Sequence, residues 1–291
     1  MADQLKPLLK WAGGKRWQVP HILPLWEAAP GCRRLVEPFC GGLSVALGLQ
    51  PTFALLNDIN PHLMNFYRHV KAGTLGTVPT ENERIAYGRH RDRFNELART
   101  GQAVLSSGGS EAAALFYYLN KTGYNGLCRF NSKGGFNVPF GKRKTVNYEH
   151  PWHLYAQQFA TWTFTGADFA SIDLQPGDFV YADPPYDVEF TTYSAGGFTW
   201  SDQVRAAEWL AAHDGPVILV NQATARIEAL YRSLGFDVTY LDAPRRISCN
   251  GDRTPAREVF ATRNIATQHR RADAVDGATE VSVSTAASEA L

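Results

Sequence analysis

No stretch of this 291-residue chain is apolar for long enough to cross a bilayer. The longest runs, such as Val217 to Val220, fall far short of the roughly 20 residues a spanning helix needs. The first residues, Met1 to Lys6, hold no apolar core followed by a small-residue cleavage site, so no secretory signal is expected. Cysteine is scarce. Cys32, Cys40, Cys128 and Cys249 show neither CxxC spacing nor a cysteine–histidine cluster, which favours reduced thiols over a zinc site or a disulfide framework. The eight histidines have no ligand spacing, so no metal is expected. Also missing are the GxGxxG of a dinucleotide fold and the lysine-bearing phosphate loop of a nucleotide triphosphate site. A net charge of +1, with 44% hydrophobic and 20% charged residues, excludes a chain that is disordered or fibrous throughout. These absences point to a soluble, cytoplasmic, globular protein of one or two domains, with no membrane partner.

The near-zero charge conceals an asymmetry. Residues 61–150 carry 13 lysines and arginines against 6 acidic residues, and the rest of the chain carries 16 against 22. A basic segment within a neutral chain suits a local patch for a polyanion. The alternative is a solvated helix face, above all over Arg84 to Arg93. Short β-branched runs bounded by turn residues recur at 34–37, 53–56, 161–165, 179–182, 216–220, 236–241 and 258–262. The first five read as buried parallel strands and the last two as an antiparallel pair at an edge. Helical patterns lie between several of them, at 62–71, at 201–212 with Ser201 as a possible N-cap, and at 225–234. This alternation predicts an α/β sheet that binds its ligands at the carboxyl ends of strands. The basic segment is too long for a crossover and reads as an inserted domain over 61–150, flanked by a main domain of 1–60 and 151–265. Within it, 101–110 resembles a flexible loop, and the Ala-, Ser- and Thr-rich 266–291 reads as a disordered tail.

Asp183-Pro184-Pro185-Tyr186 directly follows the strand at 179–182. Two adjacent prolines cannot continue a central strand, so they make a rigid corner just past its end. A plain strand terminator is the bland reading. The functional one is a pair of preorganised acceptors, the Asp183 carboxylate and the Pro184 carbonyl, beside a stacking Tyr186. Such a pair suits an amino group on an aromatic ring: accepting its two hydrogen bonds stabilises positive charge developing on nitrogen. Glu37-Pro38-Phe39-Cys40-Gly41-Gly42 runs from a strand into a glycine turn and then a helix-like Ser44 to Leu49, which lets backbone approach a ligand closely. Asp58 follows at the end of the next strand, where a carboxylate can accept from both ribose hydroxyls, although such a residue alone is often a turn former. Lys10-Trp11-Ala12-Gly13-Gly14-Lys15 joins an aromatic, a tight turn and two cations. It is either an ordinary loop or a lid over a charged, partly aromatic ligand. Finally, Asn120 to Asn131 and Gly134 to Lys144 interleave cations, amides, aromatics and glycines, as in a hairpin that meets phosphates and base edges together. A structural hairpin with an exposed Lys-Arg-Lys is the alternative.

Taken in order, KWAGGK, EPFxGG, NDIN, YNGLCRFN with FNVPFG, and DPPY resemble the Dam-type, D12-class N6-adenine-specific DNA methyltransferases of the alpha group. Arg246 to Gly251 with Arg253 and Glu258 also fits, and the likeness covers about residues 8–264. Gly42-Leu43 departs from the commoner Ala-Gly or Gly-Gly, and the tail is foreign to the pattern. The resemblance implies a Rossmann-like S-adenosylmethionine-dependent methyltransferase sheet with an inserted target-recognition domain, acting as a monomer on adenine in double-stranded DNA. It implies a cofactor site of Trp11, Ala12, Gly13, Lys15, Glu37, Pro38, Phe39, Gly41, Asp58, Asp168, Phe169 and Asp183. The catalytic corner would be Asp183, Pro184, Pro185 and Tyr186, engaging a base flipped out of the duplex. Lys10, Tyr124, Asn125, Leu127, Arg129 and Pro139 would contact or replace bases, within GATC as the expected motif. Lys121, Asn131, Asn137, Lys142 and Lys144 would meet phosphates. The rivals are an RNA adenine as acceptor and a catalytically silent DNA-binding module. Restriction–modification, mismatch repair or replication, regulation and a phage role all fit the same residues.

Overall fold

A computed structural model describes residues 5–29, 31–105, 109–187, 197–244 and 256–265. The elements run α1 (Val19–Glu27), β1 (Arg34–Glu37), α2 (Ala46–Leu49), β2 (Phe53–Asn57), α3 (Pro61–Ala72), α4 (Arg84–Arg99), α5 (Gln102–Leu105), α6 (Gly109–Thr122), α7 (Trp152–Phe159) and β3 (Trp162–Thr165). Then follow β4 (Asp178–Ala182), α8 (Trp200–Ala211), β5 (Val217–Gln222), α9 (Ala225–Ser233), β6 (Asp237–Ala243) and β7 (Ala256–Arg263). The strands form one sheet in the order β3-β2-β1-β4-β5-β7-β6. β1 to β5 are parallel, and β7 runs antiparallel between β5 and β6.

The central strands are continuous apolar runs because both sheet faces are covered. Alternate residues divide between two cores. Leu35, Phe179, Tyr181 and Ile218 face one, while Val36, Val180, Ala182 and Leu219 join α8 and α9 in the other. The first core continues without a break into the long insertion, through Phe66 and Tyr67 of α3, Phe94 of α4, Phe116 and Tyr117 of α6, and Phe136 and Val138 beyond.

Two features set up the site. The chain reverses strand order between β1 and β4, the switch point where α/β sheets open a crevice. At the opposite end of these strands Arg34 grips Asp178 through two bonds of 2.7 and 2.6 Å, which holds them level so that their carboxyl ends emerge side by side.

Three local expectations are corrected. The N-cap of α8 is Thr199, which forms a reciprocal capping box with Asp202, and Ser201 lies inside the first turn. Residues 101–110 are not a plain loop, since 102–105 form α5 and Gly109 opens α6. The helix after the glycine turn is only Ala46–Leu49, because Leu43 takes a left-handed φ of 59°. Arg246 to Arg253, Cys249 and the tail lie outside the described residues. Cys32, Cys40 and Cys128 are free thiols.

Candidate active site

The glycine turn after β1 is packed from above. Gly41 has φ +44°, and a Cβ there would sit 2.7 Å from the Trp11 indole nitrogen. At Gly42 it would meet the Trp11 Cβ at 2.8 Å. The two amino-terminal motifs thus interlock, with an indole lying on a turn that admits no side chain. Glu37, at the end of β1, is buried, and its Oε1 has no hydrogen-bond partner among the described residues. Burial, opposed by the Ala46 N–H and reinforced by the charge of Asp183, pushes its carboxyl up to about 8.

One strand over, Asp58 accepts from the Asn60 N–H at 2.9 Å and the Gly41 N–H at 3.2 Å. Burial raises it to about 6 against those bonds. Its neighbour Asn57 holds the strand ends together. The Asn57 amide donates to the carbonyls of Pro38 and Ala167, both at 3.0 Å, and its oxygen accepts from the Thr165 hydroxyl at 2.9 Å and the Ala167 N–H at 3.0 Å.

The corner after β4 is fixed through its backbone. Gln203 of α8 donates to the Pro185 carbonyl at 2.7 Å, and Asn221 of β5 accepts from the Asp187 N–H at 3.2 Å while donating to Gln203 at 3.0 Å. The Lys15 ammonium is buried 3.3 Å from Asp183 and 3.5 Å from Glu258, with the Tyr186 ring centre 4.4 Å away. Burial raises Asp183 to about 6, Lys15 opposes that and Glu258 adds to it. Burial and the charge of Asp183 hold the Tyr186 hydroxyl far above its ordinary range.

After β3, Asp168 caps the short turn Phe169–Ser171 and receives both nitrogens of Arg205, at 2.7 and 2.9 Å. That guanidinium also covers the Phe169 ring at 4.2 Å. Phe39 meets Phe169 at 5.3 Å and Phe198 at 5.7 Å, so an aromatic wall adjoins the glycine turn. Ile59, directly after Asp58, is 70% exposed.

The insertion carries the second cluster. Lys10 leaves the amino-terminal segment, and its amine donates to the Lys121 carbonyl at 3.0 Å. Burial, then Arg143 and Lys121, lower that amine to about 8. Gly126 has φ +65°, and a Cβ there would overlap the Lys10 side chain, so glycine suits the position on both counts. Asn125 is left-handed at φ 52°, and Tyr124 at the same turn is 50% exposed. Bridges Gly123 to Phe140 and Phe130 to Phe136 form the hairpin. Arg129 is exposed, and its Nε donates to the Asn137 side chain at 2.7 Å. Asn131 spends its side-chain oxygen on the N–H groups of Lys133 (3.0 Å) and Gly135 (2.9 Å) at the tip. Lys142, Arg143, Lys144 and Pro139 are exposed or nearly so, and Leu127 is half-buried. By contrast, several α4 arginines are paired locally: Arg93 with Glu111 (2.8 Å) and Glu96 (2.9 Å), Arg91 with Asp92 (3.5 Å) and Arg89 with Glu81 (4.0 Å).

The structure therefore gathers Trp11, Lys15, Glu37, Phe39, Gly41, Asp58, Asp183 and Tyr186 at adjoining strand ends, with Asp168 and Phe169 at the next. The hairpin residues form a separate group reached through Lys10. Sequence reasoning gave no role to Gln18, Gln203, Arg205 or Asn221, and none to Asn57 or Glu258 beyond their places in motifs. The neighbourhoods of Gln18, Gln203, Arg205 and Asn221 carry no spacing signal. Among the described residues, no group of three or more His, Cys, Asp or Glu is placed to hold a metal ion. No helix among them is long and apolar enough to cross a membrane.

Comparison with known proteins bears on this arrangement. The sequence model of the D12 class N6 adenine-specific DNA methyltransferases matches residues 11–247. The chain is 34% identical over 276 residues to the retron Ec67 DNA adenine methylase of Escherichia coli, covering 88% of this chain and 91% of that one. It is 36% identical over 266 residues to a DNA adenine methylase of Vibrio cholerae, covering 84% and 91%. Over 276 residues it is 33% identical to the type II methyltransferase M1.LlaDCHI of Lactococcus lactis, covering 87% and 92%.

Proposed function

The chain belongs to the D12 class of N6-adenine-specific DNA methyltransferases, and from that premise we propose that it methylates the adenine of GATC in duplex DNA with S-adenosylmethionine as donor. Methylation of adenine N6 in DNA is the reaction of the family. The donor, the motif and the residue roles are our assignment.

The residues at the strand ends fit a cationic, partly aromatic donor. Three carboxyls, Glu37, Asp58 and Asp183, lie at adjoining strand ends, Asp183 against the Lys15 ammonium, and the buried Glu37 presents an unpartnered oxygen. Asp58 would take the ribose hydroxyls, Ile59 and the Phe39–Phe169 wall the adenine ring, and Trp11, Lys15 and the Pro38–Gly41 turn the remainder. Ala12 and Gly13 complete the turn beside Trp11. The donor supplies an electrophilic methyl on a sulfonium, and every other step belongs to the chain.

Asp183 and the Pro184 carbonyl accept from the two hydrogens of the target amine, directing its lone pair at the methyl, while Tyr186 stacks on the base. Pro185 stiffens the corner, and Gln203 and Asn221 set its position. The target must leave the duplex at a cost of a few kcal/mol. Tyr124, exposed at the left-handed Asn125 turn, would fill the vacated stack. Arg129 reads a guanine, held in line by Asn137. Leu127 and Pro139 meet thymine methyls, and Lys10 contributes a further base contact. Lys121, Lys142 and Lys144 neutralise phosphates and the Asn131 amide donates to one, with Asn137 shared between a phosphate contact and Arg129. We assign 61–150 as the recognition domain, 1–60 with 151–265 as the methyltransferase domain, and a metal-free monomer as the working unit.

The buried Lys15–Asp183 pair beneath Tyr186 carries this reading most directly. The test is to express the chain in a methyl-free host and map methylated adenines genome-wide. Modification at GATC is expected. Adenine methylation at another motif refutes the specificity, and no methylated adenine refutes the assignment.

A further inference from the structure

We propose that Glu258 is the positioning residue of the acceptor site, fixing Lys15 against the Asp183 carboxylate and Tyr186 where the target base stacks. The inference rests on the assignment of Asp183 to Tyr186 as the acceptor corner. Glu258 lies 75 residues beyond that corner, on the antiparallel strand β7. Because β7 runs against its neighbours, its beginning lies where theirs end: Glu258 pairs with Gln222, the last residue of β5.

The contacts form a closed circuit. Asp183 meets Lys15 at 3.3 Å, and Lys15 meets Glu258 Oε1 at 3.5 Å. Glu258 Oε2 accepts from the Gln18 amide at 2.9 Å, and the Gln18 oxygen accepts from the Tyr181 hydroxyl at 2.7 Å. Tyr181 returns to Asp183 along the backbone of β4. The charges of Asp183 and Glu258 both bear on the Tyr186 hydroxyl, while its ring takes Lys15 at 4.4 Å. An ammonium is a point charge on a flexible stem with three donors. A single carboxylate would leave it free to swing, whereas Asp183, Glu258 and the ring face hold it from three sides. Glu258 touches Lys15 and Gln18 with its two oxygens, and its charge acts on Tyr186 beside them.

Groups facing Asp183 are Lys15 from the amino-terminal segment, Glu37 of β1, Tyr181 of β4, Tyr231 of α9, Glu258 of β7 and the adjacent Tyr186. The charge of Glu258 makes Asp183 harder to ionise. Glu258→Gln keeps the shape and removes that charge, so two changes should appear together. The single-turnover methylation rate on a GATC duplex should fall by about tenfold or more, as a misplaced reactive group requires. The acid limb of its pH profile should move to lower pH by roughly half a unit. A purely structural role would lower the melting temperature without moving the limb. A rate within about twofold of wild type, or a loss with the limb unmoved, overturns the proposal. If Glu258→Gln does not fold, Glu258→Asp keeps the charge and shortens the arm. It should lower the rate with the limb in place, and a wild-type rate would overturn the proposal. Asp183→Ala, measured alongside, separates the two failures: an active Asp183→Ala sinks the acceptor corner itself, whereas an inactive one with a wild-type Glu258→Gln sinks only the role of Glu258.

Discussion

At the carboxyl ends of β1, β2 and β4 the charged groups are withdrawn from solvent, Asp58 held by backbone N–H groups and Asp183 by Lys15. On the 124–144 hairpin they stand in solvent and are held by amides and backbone. In the first region Glu37, Asp58 and Asp183 are all pushed up by burial, and Lys15 is enclosed by two carboxylates. In the second, Arg129 leans on Asn137, and Lys142 to Lys144 are exposed. Chemistry needs charges whose positions are settled before the substrate arrives, and burial settles them at the cost of shifted ionisation. Recognition of a polyanion needs charges that exchange water and counterions for phosphates, and exposure leaves them free to do so.

The largest effect that would break this contrast is at Asp183. Asp183→Ala should cost about 3–4 kcal/mol of transition-state stabilisation, a factor of 10²–10³ in single-turnover rate, with cofactor affinity largely kept. Retention of a third of wild-type turnover would show that the buried carboxylate is not the acceptor.

The second effect lies in pH. Folded and without cofactor, Glu37 keeps its proton up to about pH 8, whereas in the unfolded chain it ionises near 4.5. The folded state therefore binds more protons between those values, and its stability falls as pH rises through that window. Asp58 and Asp183, raised to about 6 from 3.8, act with the same sign lower down. Glu37→Gln should remove the upper part of the decline, on the order of 2 kcal/mol between pH 6 and 9. Denaturant midpoints at the two pH values decide it; parallel declines in mutant and wild type would contradict the burial argument.

On the hairpin the effects are smaller and of another kind. Arg129→Ala should cost about 1–3 kcal/mol at one guanine and relax discrimination there. Competition between GATC duplexes and duplexes altered at that base is the measurement, and equal weakening on both would remove Arg129 from base readout. Lys144→Ala should weaken binding to all sequences alike and reduce the salt slope by about one, read from affinities across a salt series. An unchanged slope would take Lys144 off the phosphate backbone.

The strand-end motifs were legible because each is contiguous and follows its strand directly: Glu37 to Gly42, Asp58 and Asp183 to Tyr186 all fall at carboxyl ends that the apolar runs mark. The parallel order of the first five strands and the antiparallel pair at the edge could be read from the same runs. Glu258 had no readable role, because it begins a strand and reaches the site only through the reversed direction of β7. Arg205 and Gln203 sit on one amphipathic helix, where polar residues usually face water, and their partners Asp168 and Pro185 lie far off in sequence. The α4 arginines swell the basic count of the insertion, yet Arg93 and Arg91 are met by Glu111, Glu96 and Asp92, as the solvated-face alternative over Arg84 to Arg93 expects.

The unbroken core beneath the insertion has a consequence for engineering. Phe66 stacks on Tyr117 at 5.6 Å, and Tyr67 stacks on Phe164 of β3 at 5.4 Å. A chimera that exchanged 61–150 wholesale would withdraw these rings from under the sheet and open cavities, each large aromatic removed costing about 3–5 kcal/mol. The segment from Tyr124 to Lys144 rests on the helices at defined anchors, among them Phe130, Phe136, Val138, Phe140 and the bond from Asn95 to the Phe136 carbonyl. On the proposed recognition role of the hairpin, new sequence preferences are to be grafted between those anchors, hairpin for hairpin, while the helices stay native to their own sheet.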